Sequence, residues 1–470
     1  MVATLPIVPA QDLASAIRGR EFPAHPCFPQ LKTACDPARM LAIMRRHLRP
    51  VREGFQIEAC LPVRFRFRNS GSRCILQYAL RVAEVNGSGS SLWVTVVIHA
   101  QPGDAEKAWT EQQAADSLRT KSIPLLKWEP LTYIPELQML IQVFPHDRLV
   151  PNLPIVLSGP WPELEEKLLG SFGPGKWLLE QKMVEPLRYL YGDSAVVRYT
   201  LTARNTLTSE KETKRFYAKV YRTRHGEEIF GLLQGARKQA SLAGSFSVVE
   251  SVTYCAEQRC MVLREAEGLS LQDLLAGAGD PLSAALKVAR ALAAFHQSGV
   301  PATRHRSAED QIDFLNRAAM LLCWGCPGSS ELIHGLVREV GAGLRDGPAV
   351  PIHWDLKSDH VFLDGDRVMF VDLDTVCLGD PARDPAHLAA HIGCRIDSPE
   401  MPADLAHTVC QGLINEYFAL VPPEWHHQFK LQYIIAVLEA ASGLFKRQEP
   451  NWAERATAAI EAAQTVFSAR

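Results

Sequence analysis

The stretch PIHWDLKSDHVFLDGDRVMFVDLDTVCLGDPARDPAHLAAH, Pro351 to His391, decides how the rest of this 470-residue chain is read. It holds His353-x-Asp355, then His360, then Asp372-Leu373-Asp374. These three polar sites stand at loop ends, separated by apolar runs of strand type. Val361–Leu363 and Val368–Val371, around the turn Asp364-Gly365-Asp366, predict a hairpin. Such a hairpin would bring Asp355 and Asp372 to the same end of the fold.

Carboxylates gathered in this way suit phosphoryl transfer. One acid orients the attacking hydroxyl, and others hold the metal ions that neutralise phosphate charge. The stretch resembles the catalytic loop and metal-binding segment of the kinase-like phosphotransferases that include aminoglycoside, choline and maltose kinases. The family pattern is roughly H-x-D-x-x-x-x-N, a hairpin, then [IV]-D-x-[DE]. The resemblance implies Asp355 as catalytic base, with Lys357 near the γ-phosphate. It implies Asp372 as metal ligand and Asp374 as the second acid. His360 stands where the family usually has Asn, and so takes a metal-ligand position. Imidazole suits softer ions better than Mg²⁺. The expected cofactors are therefore ATP and Mg²⁺, with Mn²⁺ as an alternative. Asp380 to Pro385 resembles the family's GDP-x-x-D turn, whose second acid, Asp384, would brace the site.

The resemblance extends upstream. Arg188 to Gly192 would be the turn over the phosphates, and Lys219 would pair with the α- and β-phosphates. Glu227 or Glu228 would aim that lysine, with Glu228 taken as the candidate. Arg264 to Leu271 resembles the hinge, where the backbone near Glu265 and Ala266 would hold the adenine. The implied fold is α+β and bilobal, protein-kinase-like, with a small antiparallel β-rich N-lobe and a mostly helical C-lobe. An α/β cap domain would precede it. The expected boundaries are 1–180 for the cap, 181–265 for the N-lobe and 266–470 for the C-lobe. The implied activity is transfer of the γ-phosphate of ATP to a hydroxyl of a small molecule, such as a sugar, aminoglycoside or amino alcohol. The alternative is a catalytically weak pseudokinase that binds nucleotide or a partner. A protein kinase fits less well, because Asp372-Leu373-Asp374 is not D-F-G and no long activation segment follows.

Composition is compatible with this reading. Apolar residues make up 47% and charged residues 22% of the chain, as in a soluble globular protein of two or three domains. A net charge of −2 provides no global field for nucleic acid or a membrane surface. No apolar run reaches membrane-spanning length, and the N-terminus lacks the pattern of a signal peptide. Eleven scattered cysteines without a disulfide-like framework suggest a reducing cytoplasm. Cys323-Trp324-Gly325-Cys326 has no second ligand pair for zinc and sits in a helical context, so it reads as packing.

Outside the family segment, Asp36-Pro37 predicts a helix start, with the helix ending before Pro50. Val63-Arg64-Phe65-Arg66-Phe67-Arg68 alternates, with apolar residues on one face and arginines on the other. The arginine row suits phosphate contact or a solvated strand face, and solvation is the ordinary outcome. Gly170 to Lys176 matches G-x-x-x-x-G-K, but Trp177 follows where Ser or Thr would hold Mg²⁺, so it reads as a helix end and linker. Gly71–Leu80 lines up with Gly192–Leu201, placing Tyr78 against Tyr199. This suggests an internal duplication of a three-strand unit in which only the second copy carries a lysine, Lys219, with Val96 at that place in the first.

Overall fold

The computed structural model describes residues 22–68, 71–84, 89–117, 127–159 and 161–468. The turn expected at 86–90 falls mostly outside them. Near the N-terminus, α1 (Pro37–His47) starts as the sequence predicts. The Asp36 side chain accepts from the N–H groups of Ala38 and Arg39, and Pro37 occupies the first helical position. Met40 and Met44, one turn apart, bury against the first sheet.

That sheet contains β1 (Phe55–Arg68), β2 (Arg73–Glu84), β3 (Gly89–His99), β4 (Leu131–Ile134) and β5 (Met139–Val143), in the order β1-β2-β3-β5-β4. All its pairings are antiparallel. A second set follows: β6 (Trp177–Leu190), β7 (Ser194–Asn205), β8 (Lys211–Tyr221), β9 (Ser247–Val248), β10 (Ser251–Cys255) and β11 (Cys260–Arg264). The second five-stranded sheet runs β10-β11-β8-β7-β6, with α2 (His225–Ala243) beside it. Residues 170–176 form a short 3-10 turn and a linker into β6, as expected for a helix end.

The first three strands of the two sheets match in length: 14, 12 and 11 residues in each. Tyr78 and Tyr199 occupy the middle strands, are buried, and each donates its hydroxyl to a helix carbonyl, Ala34 O and Val156 O. Register corrects one expectation. Lys219 faces Val196, and the residue in the same place on β2, Ile75, faces Val97. Val97, not Val96, is therefore the counterpart of Lys219.

The arginine row also departs from the solvated face expected. Arg64 and Arg66 are half-buried, because the β6–β7 turn and the end of a C-terminal helix close over them. A shared core joins the two sheets. Trp93 of β3 and Val150, Leu153 and Trp161 of the connection pack with Tyr189, Val197 and Tyr199 of the second sheet.

Past the second sheet, β12 (Leu269–Ser270), β14 (Val361–Asp364), β15 (Arg367–Phe370) and β9 form a small sheet, and β13 (Val350–Ile352) pairs with β16 (Cys377–Gly379). Around them stand α3 (Pro281–His296), α4 (Ala308–Gly325), α5 (Ser330–Gly343), α6 (Arg383–Gly393), α7 (Ala403–Ala419), α8 (Phe429–Lys446) and α9 (Trp452–Ser468). The bilobal α+β arrangement of a β-rich part and a helical part is thus present. Cys326 caps the end of α4, and all eleven cysteines are free thiols. Trp425 and Trp452 pack in the cores rather than lining the cleft described below.

Candidate active site

The predicted hairpin forms with Asp364 paired to Arg367 across Gly365-Asp366. It delivers two loops to one end of the molecule. In the first, Trp354 takes a φ of 75°, rare for a bulky residue. Asp384 holds it there. This fully buried carboxylate accepts from the N–H groups of His353 (2.6 Å) and Trp354 (2.8 Å), and from His296 Nε2 (3.0 Å). Burial pushes the Asp384 carboxyl up, but His296 and His353 outweigh it and the net shift is downward. Asp384 thus braces the loop geometrically, and His296 serves it from α3.

Asp355 follows. Lys357 Nζ lies 2.8 Å from its Oδ2, and His387 Nε2 of α6 lies 4.0 Å from its Oδ1. Burial raises the Asp355 carboxyl, but Lys357, His360 and His387 outweigh it, leaving it well below the usual range and ionised. His387 is fixed by Leu356 O, 2.8 Å from its Nδ1. The sequence reading missed His387, which sits three residues past Asp384 on the same helix.

In the second loop Asp372 is left-handed, with φ 60°. Asp tolerates this conformation better than most residues, and its presence marks a site held by its surroundings. Lys219 Nζ bridges Asp372 Oδ1 at 2.5 Å and Asp374 Oδ1 at 2.8 Å. Tyr221 donates to Asp374 Oδ2 at 3.0 Å. Burial lowers the Lys219 ammonium, but the two carboxylates outweigh it and raise it further. The Asp372 carboxyl moves down for the complementary reason: Lys219, His360 and Arg188 outweigh its burial.

His360 links the loops. Its Nδ1 lies 2.8 Å from Asp355 O, so Nδ1–H donates to that carbonyl and Nε2 is turned toward Asp372 Oδ2, 3.5 Å away. His360 and Asp372 are the residues that would hold a divalent ion here. Among the described residues, no group of three His, Cys, Asp or Glu side chains is placed to hold a metal. Two protein donors suit an ion whose remaining ligands are phosphates and water. The donor set therefore fits a nucleotide-linked divalent ion.

A cleft of 930 Å³ opens beside these groups, lined by Arg188, Lys219, Leu263, Glu265, Ala266, His360 and Asp372, among others. At its far end Gly268, φ 87°, passes so close to β14 that a Cβ would sit 2.0 Å from Leu363 O. Only glycine allows this approach. The Glu265 N–H is engaged by Arg215 O, whereas Glu265 O and Ala266 N are without a backbone partner among the described residues. The Glu265 side chain accepts from Tyr217 OH at 3.2 Å.

One candidate is not brought in. Glu228 lies on the outer side of the first turn of α2, 74% exposed, against His225 and Arg304. Glu227 is exposed as well. The inner side of that turn is Gly226, where a Cβ would meet the Tyr221 ring at 2.4 Å. Lys219 is instead aimed by Asp372 and Asp374.

Arg188 enters by its side chain, with Nη1 3.8 Å from Asp372 Oδ2. The turn after it is clamped by the first sheet and its extension. Asp147 Oδ2 accepts from Gly192 N at 2.7 Å and Tyr189 OH at 2.8 Å, Gln77 donates to Tyr189 O, and Arg66 donates to Tyr191 O. In the sequence Asp147 reads only as part of a turn, Pro145-His146-Asp147-Arg148. Nothing local distinguishes a clamp there.

A model of the phosphotransferase enzyme family (APH) matches residues 202–419. No curated protein matches the chain significantly. Among solved structures, a choline/ethanolamine kinase family protein from Mesorhizobium loti is 17% identical, covering 64% of this chain and 90% of its own, with a TM-score of 0.40. Choline kinase LicA from Streptococcus pneumoniae is 13% identical, covering 64% and 98%, at 0.39. A glucosamine kinase is 13% identical, covering 92% and 98%, at 0.38. These TM-scores lie below 0.5, so the assignment rests on the family match and on the motifs it contains. Residues 202–419, which contain Lys219, Glu265, Ala266, Asp355 and the Asp372–Asp374 pair, match the model of the phosphotransferase enzyme family.

Proposed function

We propose that the chain is a kinase that moves the γ-phosphate of ATP to a hydroxyl of a small molecule. The observation that carries this is His360, which joins the Asp355 loop at 2.8 Å to Asp372 at 3.5 Å, at the end of a cleft that also reaches Lys219 and the hinge. Glu265 O and Ala266 N hold the adenine. Lys219 exchanges Asp372 for the α- and β-phosphates. Asp372 and His360 would hold the divalent ion, which would neutralise phosphate charge, and Asp374 keeps Lys219 in place. Asp355 orients the acceptor hydroxyl and takes its proton as the new O–P bond forms and the bond to the bridging oxygen of ADP breaks. Lys357 offsets charge on the transferred group.

In this reading residues 181–265 and 266–470 are the two lobes, and 1–180 is a cap built on a unit related to the N-lobe. Matched strand lengths and the paired tyrosines support that relation. The pseudokinase reading predicts nucleotide binding without turnover. It is disfavoured because Lys219, Asp355 and Asp372 are all present and ionised by their surroundings.

The test is thermal stability with ATP alone, ATP with Mg²⁺ and ATP with Mn²⁺, followed by ADP release across an acceptor screen. Ligand at about 100 times its Kd adds roughly 2.7 kcal/mol to the folded state. A metal-dependent shift that Asp372→Ala removes is expected. No shift under any condition would overturn the reading.

A further inference from the structure

The arginine row of β1 is not accounted for by any step above. Arg64 is half-buried, and its Nε is buried without a hydrogen-bond partner, as is that of Arg66. Among the described residues, Arg64 has no carboxylate within 4.0 Å. Its neighbour Phe65 packs on Phe445 of α8, with ring centroids 5.0 Å apart, and Lys446 and Arg447 directly follow Phe445. That contact brings the end of α8 to the edge of β1, while Arg64 itself, opposite Gln77, faces the second sheet. Arg188 is on β6 of that sheet.

These cations also act on one another. Burial first, then Arg188, Arg66 and Arg447, lower the Arg64 guanidinium to about 10, with only Asp193 acting the other way. Burial, Arg64 and Arg447 lower the Lys446 ammonium, opposed by Glu439 alone. Glu439 is already bound to Arg383 at 2.6 Å, and Arg447 to Glu449 at 2.6 Å. A structural ion cluster balances its charges, because an uncompensated buried cation is costly. Here Arg64 and Lys446 lack that balance. Guanidinium groups held in a fork with free donors are the usual means of recognising phosphate or carboxylate.

The cluster also borders the reacting centre. Arg188 lies 3.8 Å from Asp372, and its charge acts on Lys357, which is 2.8 Å from Asp355. Arg188 lines the cleft, so an anionic group that it shares with Arg64 would lie beside the Asp372 end of that cleft.

We propose that Arg64, Arg188, Lys446 and Arg447 form an acceptor subsite for an anionic substituent, so that the hydroxyl compound phosphorylated here already carries a phosphate or carboxylate group. This rests on the kinase reading. The transfer is as written above, with the anionic substituent a spectator that gains and loses no bond.

The test uses the full chain with Mg²⁺ and ATP and matched acceptor pairs: glucose with glucose 6-phosphate and gluconate, glycerol with glycerol 3-phosphate and glycerate. ADP release is expected with an anionic member and not with its neutral partner, and the phosphate and carboxylate arms separate the two sources of charge. Arg64→Gln is expected to raise the KM of the anionic acceptor roughly 10–100-fold. kcat and the KM of ATP should remain within about 3-fold, and Arg64→Lys should recover part of the loss. Preference for neutral acceptors, unchanged in Arg64→Gln, would overturn the proposal. If no acceptor is turned over, calorimetric titration of inorganic phosphate into Asp355→Asn, with ADP and Mg²⁺ present, decides the subsite separately. Binding lost on adding Arg64→Gln supports it, and absence of binding overturns it. Thermal midpoints of each variant, compared with Arg64→Lys, separate loss of fold from loss of charge.

Discussion

At the scale of single residues, the site depends on which side chains share a proton or an ion. Asp355 is ionised and flanked by Lys357 and His387, as the proposed role of orienting a hydroxyl requires. Asp355→Asn keeps the shape and removes the proton acceptor. Turnover is expected to fall by roughly 10²–10⁴-fold, with ATP affinity within about 3-fold, measured by ADP release and nucleotide titration. Unchanged turnover would remove Asp355 from the mechanism. His360 makes a different prediction. Its Nδ1 is engaged by Asp355 O and its Nε2 faces Asp372, so in the proposed site an imidazole nitrogen rather than an amide oxygen would meet a bound ion. Activity with Mn²⁺ should exceed that with Mg²⁺, and His360→Asn should narrow the ratio. Equal rates in both metals, unaltered by the substitution, would count against this role.

At the scale of elements, the turn between β6 and β7 is held by another sheet's extension. Asp147→Ala orphans the Gly192 N–H, at about 1–3 kcal/mol, and removes the carboxylate that accepts from the buried Tyr189 hydroxyl. We expect a lowered thermal midpoint and a KM for ATP raised roughly 10-fold, with kcat at saturation much less affected. Asp147→Asn, which keeps one acceptor, should fall between. An unchanged KM in a destabilised variant would mean that the clamp is structural only.

The hairpin carrying Asp355 and Asp372 was legible because strand alternation and a glycine turn are local signals. The cap of α1, the buried tyrosine pair and the bracing Asp384 were legible for the same reason or by motif. Glu228 was misplaced because helical spacing does not show which side of the first turn faces the sheet, and Gly226 takes that side. Alternation alone leaves Arg64 and Arg66 solvated, because it shows two faces but not what closes over the second. The closure comes from α8, nearly 400 residues later.

At the scale of the whole molecule, the candidate site rests on groups that are buried with their protonation fixed. Burial first, then His391 and Arg383 on its own helix and Lys357 from the loop, hold the His387 imidazole well below its ordinary value, against Asp355. His353 is lowered by burial and by His360. Both bind fewer protons folded than unfolded. Their contribution to stability is complete above about pH 6.5 and is lost as pH falls from there. Asp384 and Asp397 are held below the ordinary carboxylate range, each because its His partner outweighs burial. Their contribution is present above about pH 3.9 and is lost below it. The thermal midpoint should therefore fall in two stages, gently from about pH 6.5 and steeply below about pH 4. His387→Gln should flatten the first stage. A midpoint that rises on going from pH 6.5 to 5 would contradict this assignment.

The core shared by Trp93, Leu153 and Trp161 with Tyr189, Val197 and Tyr199 has a practical consequence for anyone cloning this gene. A truncation near residue 180 coincides with no break in the packing. An expression fragment starting at β6 would present the uncovered side of its own sheet to solvent, without Asp147 to hold the turn over the cleft. Such a fragment is expected to aggregate rather than serve as a minimal enzyme.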